Sequence, residues 1–453
     1  MKYFASLPIE ELLRPEGFDC KCGRHHVASR LREVIIKENA IFELPRVLER
    51  FGITCPFLVM DENTKIAAGD AACSILQAAG ISYRTFVLNG KQIEPDEHCV
   101  GAVVMAYQTQ CDGIVAVGSG VINDICKVVS QVGKCPQITL PTAPSMDGYA
   151  STCAAMLIGG LKTSLYLPSP NAVVADINIL KNAPMRMIQA GFGDMITKYV
   201  SLPEWEMANI LHNEYWCKET SDLAKRSAEI CFEAAPLLSQ RSSHAIALLT
   251  EGLIISGICM SLVNVSGPAS GGEHYISHIW DMNNIKNGHK LELHGIQTGI
   301  GTLNMMRVYE HMRDITPEAD KAMSFAQHFD REKWEQDIYR LFGLGANKAI
   351  ANEQIAGKHD IDRHKAQFSK ICQNWDEIHR LICTIPDAIV AENMWKQVGA
   401  PLTHREIGHT DDELLDAFTY SPEIRDRYVG VRLLWDMGIL EEAKQWVLEW
   451  INS

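Results

Sequence analysis

The chain has 453 residues, 47% of them hydrophobic and 22% charged, with a formal net charge of -14 at pH 7 and a pI near 5.6. That length exceeds one ordinary core and implies two domains or one large composite, and the composition belongs to a folded chain, not a disordered one. The acidic excess argues against nucleic acid and anionic membrane surfaces as main partners, while a locally basic pocket can still take a small anionic substrate.

The opening stretch, MKYFASLPIEELLRPEG, carries charges throughout and lacks the apolar run of a signal peptide. Next comes Cys20-Lys-Cys22-Gly-Arg-His25-His26, a set of side chains that would suit a soft cation. Its spacing matches no standard zinc frame and no second C-x-x-C pair follows, so the expectation there is a plain loop. Of the 14 cysteines, others such as Cys73, Cys111, Cys126, Cys153, Cys259 and Cys372 stand singly in apolar segments. That pattern is expected of reduced thiols in a cytoplasmic protein.

Residues 50–180 read as alternating strands and helices. PFLVMDEN (56–63) is a short apolar run closed by turn residues, and TKIAAGDAACSILQAAG has helical spacing up to Gly80. Further strands are expected at ISYRTFVLNG (81–90), DGIVAVGSG (112–120), QITLPT (137–142) and NAVVADIN (171–178). Strands alternating with helices predict a mainly parallel sheet covered on both faces, a Rossmann-like α/β domain. After Pro184 long amphipathic stretches replace the Val-rich runs. The expected division is therefore a nucleotide-binding α/β domain over 1–184 and an all-α metal- and substrate-binding domain over 185–453. AIALLTEGLIISGICMSLVNV (245–265) is long enough to span a bilayer, which takes roughly twenty residues. It contains Glu251 and Asn264 and has no basic flank, so a buried core helix is expected, with no membrane insertion.

Three stretches carry candidate chemistry. In GSGVINDICKVVS (118–130), Gly118 and Gly120 sit at a strand-to-helix turn, where backbone N–H groups and the helix N-terminus favour a phosphate. The third glycine of a full dinucleotide fingerprint is replaced by Asn123, and the nearest candidate for a ribose-binding acid, Asp61, ends an earlier strand. A tight turn without a ligand is the competing reading. PTAPSMDGYAS (141–151) then places Thr142, Ser145, Ser151 and the carboxylate Asp147 in a loop after the next strand, where ligands of open parallel sheets bind. The third stretch is SGGEHYISHIWD (270–281), with His274 and His278 four apart on one helical face. Its Glu273 precedes the first His, so it is not the H-E-x-x-H of a zinc protease. Together with Asp194 of AGFGDMITK and His294 of LELHGIQTGIGTL, His274 would make a carboxylate and two imidazoles, a set that suits zinc, nickel or iron. Core histidines on apolar helices are the alternative.

In this order, GSGVINDICK, PTAPSMDGYAS, GFGDMITK, SGGEHYISH and LHGIQTGIG resemble sn-glycerol-1-phosphate dehydrogenase, above all its bacterial branch. That family lies in the superfamily of metal-dependent alcohol dehydrogenases, glycerol dehydrogenases and dehydroquinate synthases. The late segment GAPLTHREIGHTDDELLDAFTYSPEIRDRY resembles the same branch. The resemblance implies the dehydroquinate synthase-like fold and reversible, NAD(P)- and metal-dependent reduction of dihydroxyacetone phosphate to sn-glycerol 1-phosphate. By motif, it implies that Gly118, Ser119, Gly120, Val121 and Ile122 cradle the cofactor pyrophosphate. Thr142, Ala143, Pro144, Ser145 and Ser151 would bind its nicotinamide half. Asp147 and His278 would contact substrate as orienting or proton-relaying groups, though His278 also reads as a core histidine. Asp194 would bind metal and substrate, with His274 and His294 completing one divalent site, zinc or nickel, iron being possible. A homo-oligomer, most simply a dimer, is implied as well.

Asp61 favours NAD, since a carboxylate there repels a 2′-phosphate. Lys162, Arg186 and Lys198 are candidate phosphate partners. The chain is longer than the family leads one to expect, and the charged, Trp-containing region 318–380 is the expected place of an insertion. The alternatives are a dehydrogenase of glycerol or another small polyol, a lyase like dehydroquinate synthase, and a non-catalytic cofactor-binding scaffold.

Overall fold

The central apolar runs of the first half build the sheet because each buries both of its faces. In this computed structural model, which describes residues 3–90, 93–159 and 161–451, ten strands form. They are β1 (Phe18–Asp19), β2 (His25–His26), β3 (Glu33–Lys37), β4 (Pro56–Asp61), β5 (Arg84–Leu88), β6 (Gly113–Val117), β7 (Gln137–Leu140), β8 (Cys153–Ile158), β9 (Leu161–Tyr166) and β10 (Ala172–Asp176). Six of them make a parallel sheet in the order β3-β10-β7-β6-β4-β5. β1 pairs with β2, and β8 with β9, in separate two-stranded ribbons. Alternate residues feed opposite layers: Leu58, Met60, Val115 and Val117 enter one core, while Phe57, Val59, Ile114 and Ala116 enter the other. Burying each such side chain contributes about 1.5–3 kcal/mol, so a one-residue slip of register would be costly.

All five strands expected from the sequence form, and β3 joins them at the edge next to β10. The chain runs from β4 to β5 on one side, and from β6 to β7 on the other. β4 and β6 are therefore neighbours at which the direction of winding reverses, the position where ligands of open α/β sheets bind. Asp61 closes β4 and Gly118 follows β6, so both stand at the carboxyl end of this switch point.

From Met185 to Ile451 the described residues form helices and no strand. The division into compact units is nevertheless discontinuous. One unit comprises residues 1–158, 162–195 and 217–268, and the other 159–161, 196–216 and 269–453. It differs from a single boundary after residue 184, because the helix Met185–Ile196 and the helices Lys218–Leu238 and Ser243–Val263 pack with the sheet unit. Helix Ser243–Val263 is apolar and long enough to cross a membrane, but 83% of its most apolar window is buried within the fold, as expected of a core helix. The region 318–380 is folded, with helices Ala319–Gln327, Arg331–Phe342, Ala346–Ala356 and Ile361–Gln373.

Candidate functional site

In the sheet unit, the turn after β6 is built from its own packing. A Cβ on Gly118 would meet the Ile122 side chain at 2.6 Å, so the glycine lets the helix Gly120–Gly133 start directly over the strand. Asn123, in place of the third glycine, is wholly buried and accepts from Thr139 Oγ1 at 2.9 Å and Gln137 Nε2 at 3.2 Å. It ties the helix to β7 by hydrogen bonds where a glycine would do so by close contact. Ser119 caps this helix with extended backbone, and its hydroxyl bonds Ser145 Oγ and, at 3.0 Å, Tyr149 OH. The loops after β6 and β7 are thus joined side by side. Asp61 is the N-cap of the next short helix, accepting from Thr64 N at 2.7 Å.

The loop of residues 141–151 is anchored from beneath by Lys127. This buried ammonium pairs with Asp124 at 3.2 Å and donates to Gly148 O at 2.8 Å, Ser151 Oγ at 3.2 Å and Cys153 O at 2.6 Å. Asp124 also accepts from Ala155 N at 2.9 Å, and burial pushes its carboxyl pKa up against these favourable bonds. Ser151 is fully buried and its hydroxyl donates to Gly148 O and Cys153 O, which gives it a place in holding the loop together. From the other side, Gly191 brings the helix Met185–Ile196 against the loop, since a Cβ there would fall 1.9 Å from Pro144 O. Asp194 lies on that helix, only 2% exposed, and accepts from Asp147 N at 3.2 Å. Asp147 in turn accepts from Ser256 Oγ at 2.7 Å. Thr142, Ala143, Ser145, Asp147 and Asp194 are therefore parts of one braced assembly.

In the helical unit, His274 and His278 lie on the helix Gly272–Asn287, and His294 begins the helix His294–Met312. These helices approach closely at Gly301, where a Cβ would meet Glu273 O at 2.9 Å. The rings of His274 and His294 are 4.9 Å apart at 67°, and those of His278 and His294 are 5.8 Å apart and nearly parallel. The neighbours fix the tautomers. Glu273 Oε1 accepts from His274 Nδ1 at 2.9 Å. Ser277 donates to Gln297 Oε1 at 2.7 Å, so its oxygen accepts from His294 Nδ1 at 3.2 Å. Both imidazoles then carry their lone pair on Nε2, the arrangement that outer hydrogen bonds give metal-ligating histidines. The residues fit a divalent cation on this ground.

Behind His274 lies a second carboxylate. Glu204, on the helix Lys198–His212, is 1% exposed and accepts from Gly272 N, Gly430 N and Tyr309 OH at 2.7, 3.0 and 2.7 Å. Burial, and then the charge of Glu273, push its pKa up to about 8, while burial raises Glu273 to about 7. The pair therefore holds a proton at neutral pH. The sequence reading missed Glu204, Lys127, Ser256, Ser277 and Gln297. It also missed Asp281, whose carboxylate lies within 4.8 Å of the ligating atoms of His278 and His294. The i, i+3 spacings of Asp124 to Lys127 and His278 to Asp281 were visible signals for two of them.

A family model of iron-containing alcohol dehydrogenases matches residues 35–184. Over 296 residues, 65% of this chain and 74% of the relative, the sequence is 34% identical to the glycerol-1-phosphate dehydrogenase [NAD(P)+] of Halalkalibacterium halodurans. The chain belongs to the glycerol-1-phosphate dehydrogenase family. It is an NAD(P)-dependent oxidoreductase of that family, and the resemblance to that family is upheld. The protein of the same name from Bacillus licheniformis is 26% identical over 93% of each chain, so the likeness reaches well beyond the sheet. The fold is shared with the crystal structure of glycerol dehydrogenase from Schizosaccharomyces pombe, at a TM-score of 0.60 and 13% identity, covering 96% of this chain and 94% of that one.

Proposed function

We propose that the enzyme reduces dihydroxyacetone phosphate to sn-glycerol 1-phosphate reversibly, with Asp194, His274 and His294 as the ligands of one divalent cation. The observation that carries this reading is the pair of imidazoles, His274 and His294, each held with Nε2 as its basic nitrogen. When bound, the nicotinamide supplies hydride and the cation supplies Lewis acidity at the substrate oxygen. The chain's own residues do the rest. Gly118 to Ile122, at the switch point, offer backbone N–H groups and a helix N-terminus to the cofactor pyrophosphate. Thr142 to Ser145 line its nicotinamide half, with Ser151 holding their loop in shape. Asp147, oriented by Ser256, and His278 bind substrate hydroxyls and carry the proton that accompanies hydride transfer. Lys198, only 3% exposed, is the preferred phosphate partner among the three basic candidates.

Zinc or nickel is the expected metal, NAD the preferred cofactor, and a cytoplasmic homodimer the expected assembly. A second reading follows from the cluster of His278, Asp281 and His294, which could hold the cation in place of the first set. Comparing dihydroxyacetone phosphate with dihydroxyacetone as oxidants of NADH tests the substrate. Turnover confined to the phosphate is expected. Faster turnover of dihydroxyacetone would assign a polyol dehydrogenase, and absence of net NADH oxidation with either compound would favour the lyase or scaffold alternatives.

A further inference from the structure

The N-terminal ribbon does more than the loop expected from its spacing. We propose that Cys20, Cys22, His26 and Cys217 bind a structural zinc ion, distinct from the dehydrogenase cation. All four donors belong to the sheet unit. Their ligand atoms all lie within 4.8 Å of one another. Cys22 Sγ is 3.2 Å from His26 Nε2, Cys217 Sγ is 3.5 Å from the same nitrogen, and Cys20 Sγ is 3.6 Å from Cys217 Sγ. Zinc bonds of about 2.3 Å to sulfur and about 2.0–2.1 Å to nitrogen give tetrahedral edges of about 3.8 Å between sulfurs and about 3.5 Å between sulfur and nitrogen. The observed separations approach those edges.

The surroundings are those of a built site. His26 is 1% exposed, and its Nδ1 donates to Leu262 O at 2.9 Å, which leaves Nε2 as the coordinating nitrogen. The Phe4 ring packs edge-on against the imidazole at 5.6 Å. Cys20 and Cys22 sit on a tight knuckle between β1 and β2, closed by Gly23 N to Cys20 O at 3.1 Å and Cys20 N to Arg24 O at 3.2 Å, with Gly23 at φ +85°. Cys217 is fully buried at the N-cap of the helix Lys218–Leu238. Three thiolates and an imidazole are soft donors that select zinc, and four protein ligands close its coordination, which marks a structural ion. The fourth donor lies 197 residues beyond Cys20, so no local spacing could reveal the set. Zinc there would tie the N-terminal ribbon to the helical layer of its own unit and close a long loop.

Cobalt substitution of the purified full-length enzyme, with elemental analysis of the zinc form, tests this site. The wild type is expected to show thiolate-to-cobalt charge transfer and the intense visible bands of tetrahedral cobalt. Cys22→Ser and Cys217→Ser should lose the thiolate charge-transfer band and about one zinc per chain, while Asp194→Asn keeps that band and loses only the cation of the dehydrogenase centre. Cys22 is only half-buried in its turn, so its variant serves if Cys217→Ser fails to fold. A wild type without the charge-transfer band, zinc content unchanged by Cys22→Ser, or a Cys20–Cys217 disulfide found by non-reducing peptide mapping would each overturn the proposal.

Discussion

Glu273 accepts a hydrogen bond from the Nδ1 of its own neighbour, His274, at 2.9 Å. Adjacent residues on a helix project roughly 100° apart, so this contact requires the carboxylate to fold back along the helix start. Gly271 N, donating to the same Oε1 at 2.8 Å, holds it there. If the carboxylate makes His274 a better ligand, Glu273→Gln should weaken metal binding about 10-fold and Glu273→Ala up to ~100-fold, the usual effect of losing such a partner. Competition titration against a chromophoric chelator measures this. Unchanged affinity in both variants would make the contact a packing feature only.

The Glu204 carboxyl gives the fold a pH dependence of known sign. Its native pKa of about 8 lies above the ordinary 4.5, so the folded chain holds a proton that the unfolded chain has lost across that interval. Its contribution to stability is therefore full below the ordinary value, falls as pH rises through the interval, and levels off above the native value. Melting temperatures taken between pH 5 and 9 should show this decline, and Glu204→Gln should flatten it. An identical slope in the variant would place the proton elsewhere.

Lys127 offers a sharper mutational test. Lys127→Met leaves Asp124 buried without its cation, which typically costs about 3–5 kcal/mol. It also removes three bonds that hold the loop after β7. Denaturant unfolding should show the loss, the KM for NADH should rise, and adding Asp124→Asn should restore part of the stability. A variant as stable as the parent would contradict the anchoring role.

Asp61 stands at the switch point, with one oxygen spent on capping Thr64 N. If its charge repels a 2′-phosphate, Asp61→Ala should raise kcat/KM for NADPH relative to NADH by about 10-fold or more, since each ~1.4 kcal/mol removed is tenfold. An unaltered ratio would move cofactor discrimination to another residue.

These residues also show how much of the fold and of the site is legible in the sequence. The five strands of the sheet were legible because Val- and Ile-rich runs bounded by turn residues have few other solutions, and the glycine turn followed from where β6 ended. β3 was missed because EVIIK is short and flanked by charge. A single boundary at residue 184 differs from the discontinuous compact units because helical periodicity says nothing about which core a helix joins. Ser243–Val263 packs with the sheet although it follows the last strand by some distance in the chain. Asn123 looked like a defect in a glycine motif and is a buried hydrogen-bond hub instead. Partners such as Ser277 with His294, Tyr309 with Glu204, or Cys217 with His26 are made by tertiary packing, and spacing along the chain carries no trace of them.

The most direct measurement is turnover of dihydroxyacetone phosphate with NADH by Asp194→Asn, beside its metal content at the dehydrogenase centre and its melting curve. The expected result is a cooperatively folded protein that has lost this cation and nearly all activity, with Asp281→Asn keeping the cation. Wild-type turnover by Asp194→Asn after complete removal of that metal would contradict the proposed chemistry, and retention of the cation by Asp194→Asn with its loss from Asp281→Asn would move the site to His278, Asp281 and His294.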